Sequence, residues 1–111
     1  MQKFDYDSKY DDLFVFNSES KSKGAIEFGD LVIDFDNNMK VVGLELINAS
    51  EYLSKIVDGF DKKLLSDIKQ CNFSAVHHKN MIIIKLSIVS ENQKMLVPIQ
   101  IPGIRKSSPA I

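Results

Sequence analysis

Val41-Val42-Gly43-Leu44-Glu45-Leu46-Ile47-Asn48-Ala49-Ser50-Glu51 is where the chain changes its period. Up to Ile47 the residues are β-prone, and Gly43 marks a bulge or a close backbone approach. From Asn48 onward the apolar spacing lengthens. Leu53, Ile56, Val57, Phe60, Leu64 and Ile68 recur every three or four residues, one stripe over roughly five helical turns. Asn48 is placed to cap this helix, with Glu51 completing an Asn variant of the capping box and Ile47 available as a hydrophobic staple. Asp58-Gly59 divides the stripe into two helices, Gly59 closing the first and Asp61 capping the second.

Upstream, Phe4 and Tyr6 alternate with Asp5 and Asp7 as in a half-buried strand. Ser8-Lys9-Tyr10-Asp11 reads as the turn into Leu13-Phe14-Val15-Phe16, which is apolar on both faces and therefore central. A polar loop over residues 17–24 follows. Residues 25–36 form one long kinked strand or two short ones, with Gly29-Asp30 permitting the turn. Asp36-Asn37-Asn38-Met39 is a hairpin loop leading into the strand at Val41.

Downstream, residues 75–78, 81–89 and 94–101 read as three antiparallel strands joined at Lys79-Asn80 and Glu91-Asn92-Gln93. In the middle strand Ile82, Ile84, Leu86 and Ile88 form one apolar face, while Lys85 and Ser87 interrupt the other. Pro98 has no N–H for a ladder, so the last strand is expected at an edge or with that position turned outward. The pattern predicts a single α+β domain over residues 1–104: β-hairpins in 1–47, a helical segment in 48–69 and a β-meander in 74–101. Residues 105–111 read as a flexible tail.

The 111 residues suffice for one core, and 44% hydrophobic with 26% charged residues excludes the signature of disorder. The lone Cys71 excludes an internal disulfide. The N-terminus lacks a signal-peptide core, and the longest apolar run, residues 81–84, is far too short for a membrane span, so a cytoplasmic protein is expected. Charge is unevenly distributed. Residues 1–61 carry 13 acidic and 6 basic side chains, whereas residues 62–111 carry 2 and 8. Such halves attract each other within one molecule or head to tail between copies, or the basic half meets an anionic partner.

Asp5, Asp7, Asp34, Asp36 and Glu45 are expected to share the outward face of adjacent strands. Their spacing matches no cation loop, so a solvated acidic face is the reading and no metal is expected, Asp34 and Asp36 being the nearest approach to a site. His77 and His78 point to opposite faces of one strand, and Cys71 is expected beyond a helix-to-strand connection, so the three do not converge. No nucleophile elbow or Gly-rich phosphate loop is present, hence no enzyme and no cofactor. The aromatic residues cluster in the acidic half, which disfavours nucleic acid. A basic face of Lys79, Lys85, Lys94, Arg105 and Lys106 keeps a small regulatory, antitoxin-like nucleic-acid-associated protein as the alternative.

Tyr6-Asp7, Asp12-Leu13-Phe14-Val15-Phe16, Val32-Ile33-Asp34-Phe35-Asp36 and above all Val41-Val42-Gly43-Leu44-Glu45-Leu46-Ile47-Asn48-Ala49-Ser50 resemble the small prokaryotic proteins of the domain of unknown function 2283 family. The resemblance spans about residues 4–53. It implies two hairpins followed by a short helix, and no activity. The chain departs from that pattern with Asn38-Met39, where a glycine usually completes the turn; a left-handed Asn is expected to substitute.

The expectation is therefore a non-catalytic protein-interaction or self-association module. A two-fold dimer is expected through the C-terminal β-region, with Met95, Val97, Ile99 and Ile101 meeting their counterparts. The competing arrangement has the N-terminal hairpins folding over that face within one chain.

Overall fold

Period-two alternation in the N-terminal half becomes five antiparallel strands: β1 (Gln2–Asp7), β2 (Asp12–Asn17), β3 (Gly24–Phe28), β4 (Leu31–Phe35) and β5 (Val41–Leu46). The computed structural model describes residues 1–103, so the tail expected at residues 105–111 lies outside the described residues. The sheet order is β1-β2-β5-β4-β3, which puts β5 at the centre. Cross-strand rows fix the register: Leu13, Leu46 and Leu31 in one, Val15, Leu44 and Ile33 in the next, all buried. Where Asp34 faces Gly43 but Phe35 faces Val41, Val42 is the extra residue of a bulge. The turn after Asp36 is closed by the Asp36 carboxylate, which accepts the N–H groups of Asn38 and Lys40. Its left-handed residue is Met39, at φ 60°, and not Asn38 as expected.

The rest of the chain comprises α1 (Ala49–Ile56), the single turn α2 (Lys63–Ser66), β6 (Ile68–His78), β7 (Met81–Ser90) and β8 (Lys94–Pro102), the last three forming a sheet in the order β6-β7-β8. The helical stripe was overread. Leu53 and Leu64 are buried, but Ile56 is exposed and Ile68 already belongs to β6. α1 ends at Ile56 with Val57 already extended, ahead of the expected Gly59, which is left-handed at φ 70° in the turn that follows; Asp61 accepts the Lys63 N–H at the start of α2. From Cys71 to Phe73 the chain alternates in the period of a strand, so β6 begins well before the expected residue 74.

The cap of α1 also differs from expectation. Asn48 is left-handed and its side chain makes no capping bond. Asp11, from the β1–β2 turn, does the capping instead: its carboxylate accepts the N–H and hydroxyl of Ser50, and its backbone carbonyl accepts the Ala49 N–H. Tyr6 donates a further bond to the same carboxylate at 2.6 Å. Burial pulls the Asp11 carboxyl upward. The Ser50 and Tyr6 bonds, with the charge of Lys62, outweigh that and hold it below its ordinary value.

The two sheets stack on one apolar core to which β2, β4, β5, both helices and all three C-terminal strands contribute. Ile82, Ile84, Leu86 and Ile88 are wholly buried there. Gln2 ties the layers together, its amide donating to the Phe73 carbonyl and accepting the Phe73 N–H, both at 2.7 Å. A primary amide thus stands where another strand would pair with the edge of β6. On the opposite edge β8 carries Pro98 and Pro102. Backbone groups in an antiparallel ladder alternate in direction, and Phe73 bonding outward fixes the alternation through its partner Leu86 to Val97 and Pro98. Both prolines therefore fall where an N–H would point away from β7, leaving that edge short of donors.

Met95, Val97, Ile99 and Ile101 face inward. Val97, Ile99 and Ile101 are buried in the shared core and Met95 packs against it. The expected contact surface for a second copy is thus already covered by the chain's own five-stranded sheet, because β8 turns its other face to solvent.

Candidate functional site

With the apolar rows spent on the common core, each sheet is left with one outer face. On the five-stranded sheet, the rows Lys3, Phe16, Gly43, Asp34, Ala25 and Asp5, Phe14, Glu45, Val32, Glu27 lie across the strands. Asp7 and Asp12 are paired at the end of β1 and β2. Phe14 and Phe16 stack at 4.8 Å between centroids with 26° between ring planes. Gly43 gives the Asp34 carboxylate its room on this face: a Cβ there would stand 3.0 Å from it, while the Phe14 ring, at 3.5 Å, would be in ordinary contact. Asp5, Asp7, Asp34 and Glu45 share the face as expected, whereas Asp36 is engaged in its turn.

The centre of this face favours a protonated carboxyl. Hydrogen bonding to Asp12, burial and the charges of Asp12 and Asp34 push Glu45 up from 4.5 to about 7. Among the described residues Asp12 Oδ1 is buried without a hydrogen-bond donor, and a protonated Glu45 would supply one. The folded state thus binds this proton more tightly than the unfolded chain, so stability gained from it is present in mild acid and is lost as pH rises through about 7. Glu45→Gln is expected to flatten the fall of melting temperature between mildly acidic and mildly alkaline pH. Parallel curves for the two proteins would rule out the shared proton. Among the described residues no three His, Cys, Asp or Glu side chains are grouped to hold a metal ion, Asp34 and Asp36 included.

The outer face of the three-stranded sheet has the opposite character. Its rows are Asn72, Ser87, Leu96; Ser74, Lys85, Pro98; and Val76, Ile83, Gln100. Val76 and Leu96 are 60% and 65% exposed. Lys85 lies midway along the central strand, with Lys94 on the same face, and β6, β7 and β8 contain no acidic residue. Sequence reading places Val76 in the strand at residues 75–78 without singling it out; the signal for this face was the largely apolar character of both faces of residues 81–89.

Cys71 and His77 lie on the inner face of β6, six residues and roughly 20 Å apart. Burial pushes the Cys71 thiol up to about 12, so it is no nucleophile. His78 points to the other face.

Residues 3–50 match the family described as "Protein of unknown function (DUF2283)". An uncharacterized protein of Methanocaldococcus jannaschii is 40% identical over 86 residues, which cover 78% of this chain and 69% of that protein. The chain belongs to the DUF2283 family. No solved structure matches it. The DUF2283 match ends at Ser50, the residue that Asp11 caps, so the family segment is the five-stranded sheet with its acidic outer face and the first residues of α1. The three-stranded sheet that covers its apolar side lies beyond that segment. No helix of the described residues is long and apolar enough to cross a membrane.

Proposed function

We propose that this protein is a non-catalytic self-association module in which a second copy covers the outer face of the three-stranded sheet. The observation that carries this reading is the exposure of Val76 and Leu96 on a face where Ile83 and Pro98 are apolar as well. Large apolar side chains grouped on one face mark a contact surface. The edges support the same mode. Gln2 closes β6 and two prolines blunt β8, which favours association through faces over strand addition. The inert Cys71 and its distance from His77 support a role without catalysis.

Strands about 4.8 Å apart and rising about 3.3 Å per residue give either outer face a footprint of roughly 450 Å². That is at the low end for specific protein contacts, so the association is reversible and concentration-dependent. Light scattering after gel filtration is expected to show a mass above 12.6 kDa that falls on dilution. The double variant Val76→Ser, Leu96→Ser removes only exposed apolar surface and is expected to fold normally but stay monomeric. A wild-type mass of 12.6 kDa at every concentration would overturn this reading, and salt-sensitive retention of bulk DNA by that monomer would put the nucleic-acid one in its place.

A further inference from the structure

Lys85 occupies the fifth of ten positions in the central strand of its sheet, and no acidic residue shares those three strands. A two-fold contact of this face with itself would bring the two Lys85 side chains together near the axis, with Lys94 adding to the repulsion. Burying like charges without partners is costly, so the self-complementary dimer is disfavoured by the face that would form it. The far side of the sandwich offers what this face lacks. There Glu45, on the central strand β5, stands between Phe14 and Val32, with Asp5, Asp34 and Glu27 around them and Lys3 as the one base in these strand rows. Each face sets apolar side chains around a central charge, the two footprints are similar, and the charges are opposite.

We propose that copies of this chain stack head to tail, the acidic, phenylalanine-bearing face of one on the lysine-bearing outer face of the three-stranded sheet of the next, with Glu45 meeting Lys85. This rests on the self-association reading and names its occupant. The contact is heterologous: each copy uses one face and leaves the other open, so growth continues past two unless the stack closes into a ring. The two outer faces belong to different sheets, so both are available at once and the open stack can form. Ionised Glu45 is the form that attracts Lys85, so the stack is strongest above about pH 7 and at low salt.

Sedimentation velocity and light scattering on the full chain at low salt and alkaline pH test this. The wild type is expected to grow in mass with concentration beyond a dimer and to dissociate as salt is added. Lys85→Glu alone and Glu45→Lys alone are each expected to be monomeric, because each puts like charges face to face. An equimolar mixture of the two, or the double swap in one chain, is expected to restore the stack; melting curves of each variant identify any loss caused by unfolding. If the wild type stops at twice 12.6 kDa, or Glu45→Lys associates as the wild type does, self-association stands and head-to-tail stacking is overturned. If the wild type remains a monomer throughout, the self-association reading fails and the stack with it.

Discussion

Replacing Ile84 by alanine will lower the unfolding free energy by about 2–5 kcal/mol, while the same change at its neighbour Ile83 will cost well under half of that. Ile84 is wholly buried at the centre of β7, between Ala75 and Ile99, and it points into the layer shared by both sheets. Truncation removes its transfer free energy and leaves a cavity bordered by strands from two sheets that hold each other in place. Ile83 is turned to the outer face, where a smaller side chain leaves no void. Urea unfolding of the two variants measures the difference directly. Equal losses would mean that the outer face is covered in the monomer, which would also remove the basis for the stack.

Asp11→Ala is expected to cost about 1.5–3 kcal/mol. Loss of a helix cap accounts for about 0.5–2 kcal/mol, and forcing alanine into the left-handed conformation at φ 55° adds about 1. The Ser50 N–H and the Tyr6 hydroxyl also lose their acceptor. Asp11→Asn retains an acceptor and tolerates the backbone, so it should recover most of the loss. Since the Asp11 carboxyl is held below its ordinary value, the contribution of its charge is present at neutral pH and disappears in acid. A neutral effect of Asp11→Ala on thermal unfolding would show that α1 needs no cap from the hairpin.

The strands were legible wherever one face is buried and the other wet. Phe4 and Tyr6 against Asp5 and Asp7, or Ile82 to Ile88 against Lys85 and Ser87, announce their period in the sequence. The helical segment was not, because Leu53, Val57, Phe60, Leu64 and Ile68 keep a helical spacing for reasons that are tertiary: they line the core from a short helix, a loop, a single turn and a strand in succession. Asn48 and Glu51 satisfied the local pattern of a capping box, but local pattern holds no information about Asp11, 39 residues away from Ser50. The candidate site was half legible. Its acidic face follows from alternation alone, whereas the inward orientation of Val97, Ile99 and Ile101 depended on which sheet lay opposite. The unequal charge of the two halves reappears in the fold as one acidic and one basic outer surface.

The bond from Asp11 to Ser50 also bears on the order in which the chain folds. A helix of eight residues does not persist alone in water, and α1 has no cap of its own. It acquires one only after the β1–β2 turn has set Asp11 in its left-handed conformation and a loop of 39 residues has closed. α1 is therefore a late element despite being local, and the N-terminal hairpin forms ahead of it. Until then the newly made five-stranded sheet carries an uncovered apolar side, because the C-terminal strands that will cover it are synthesised after it.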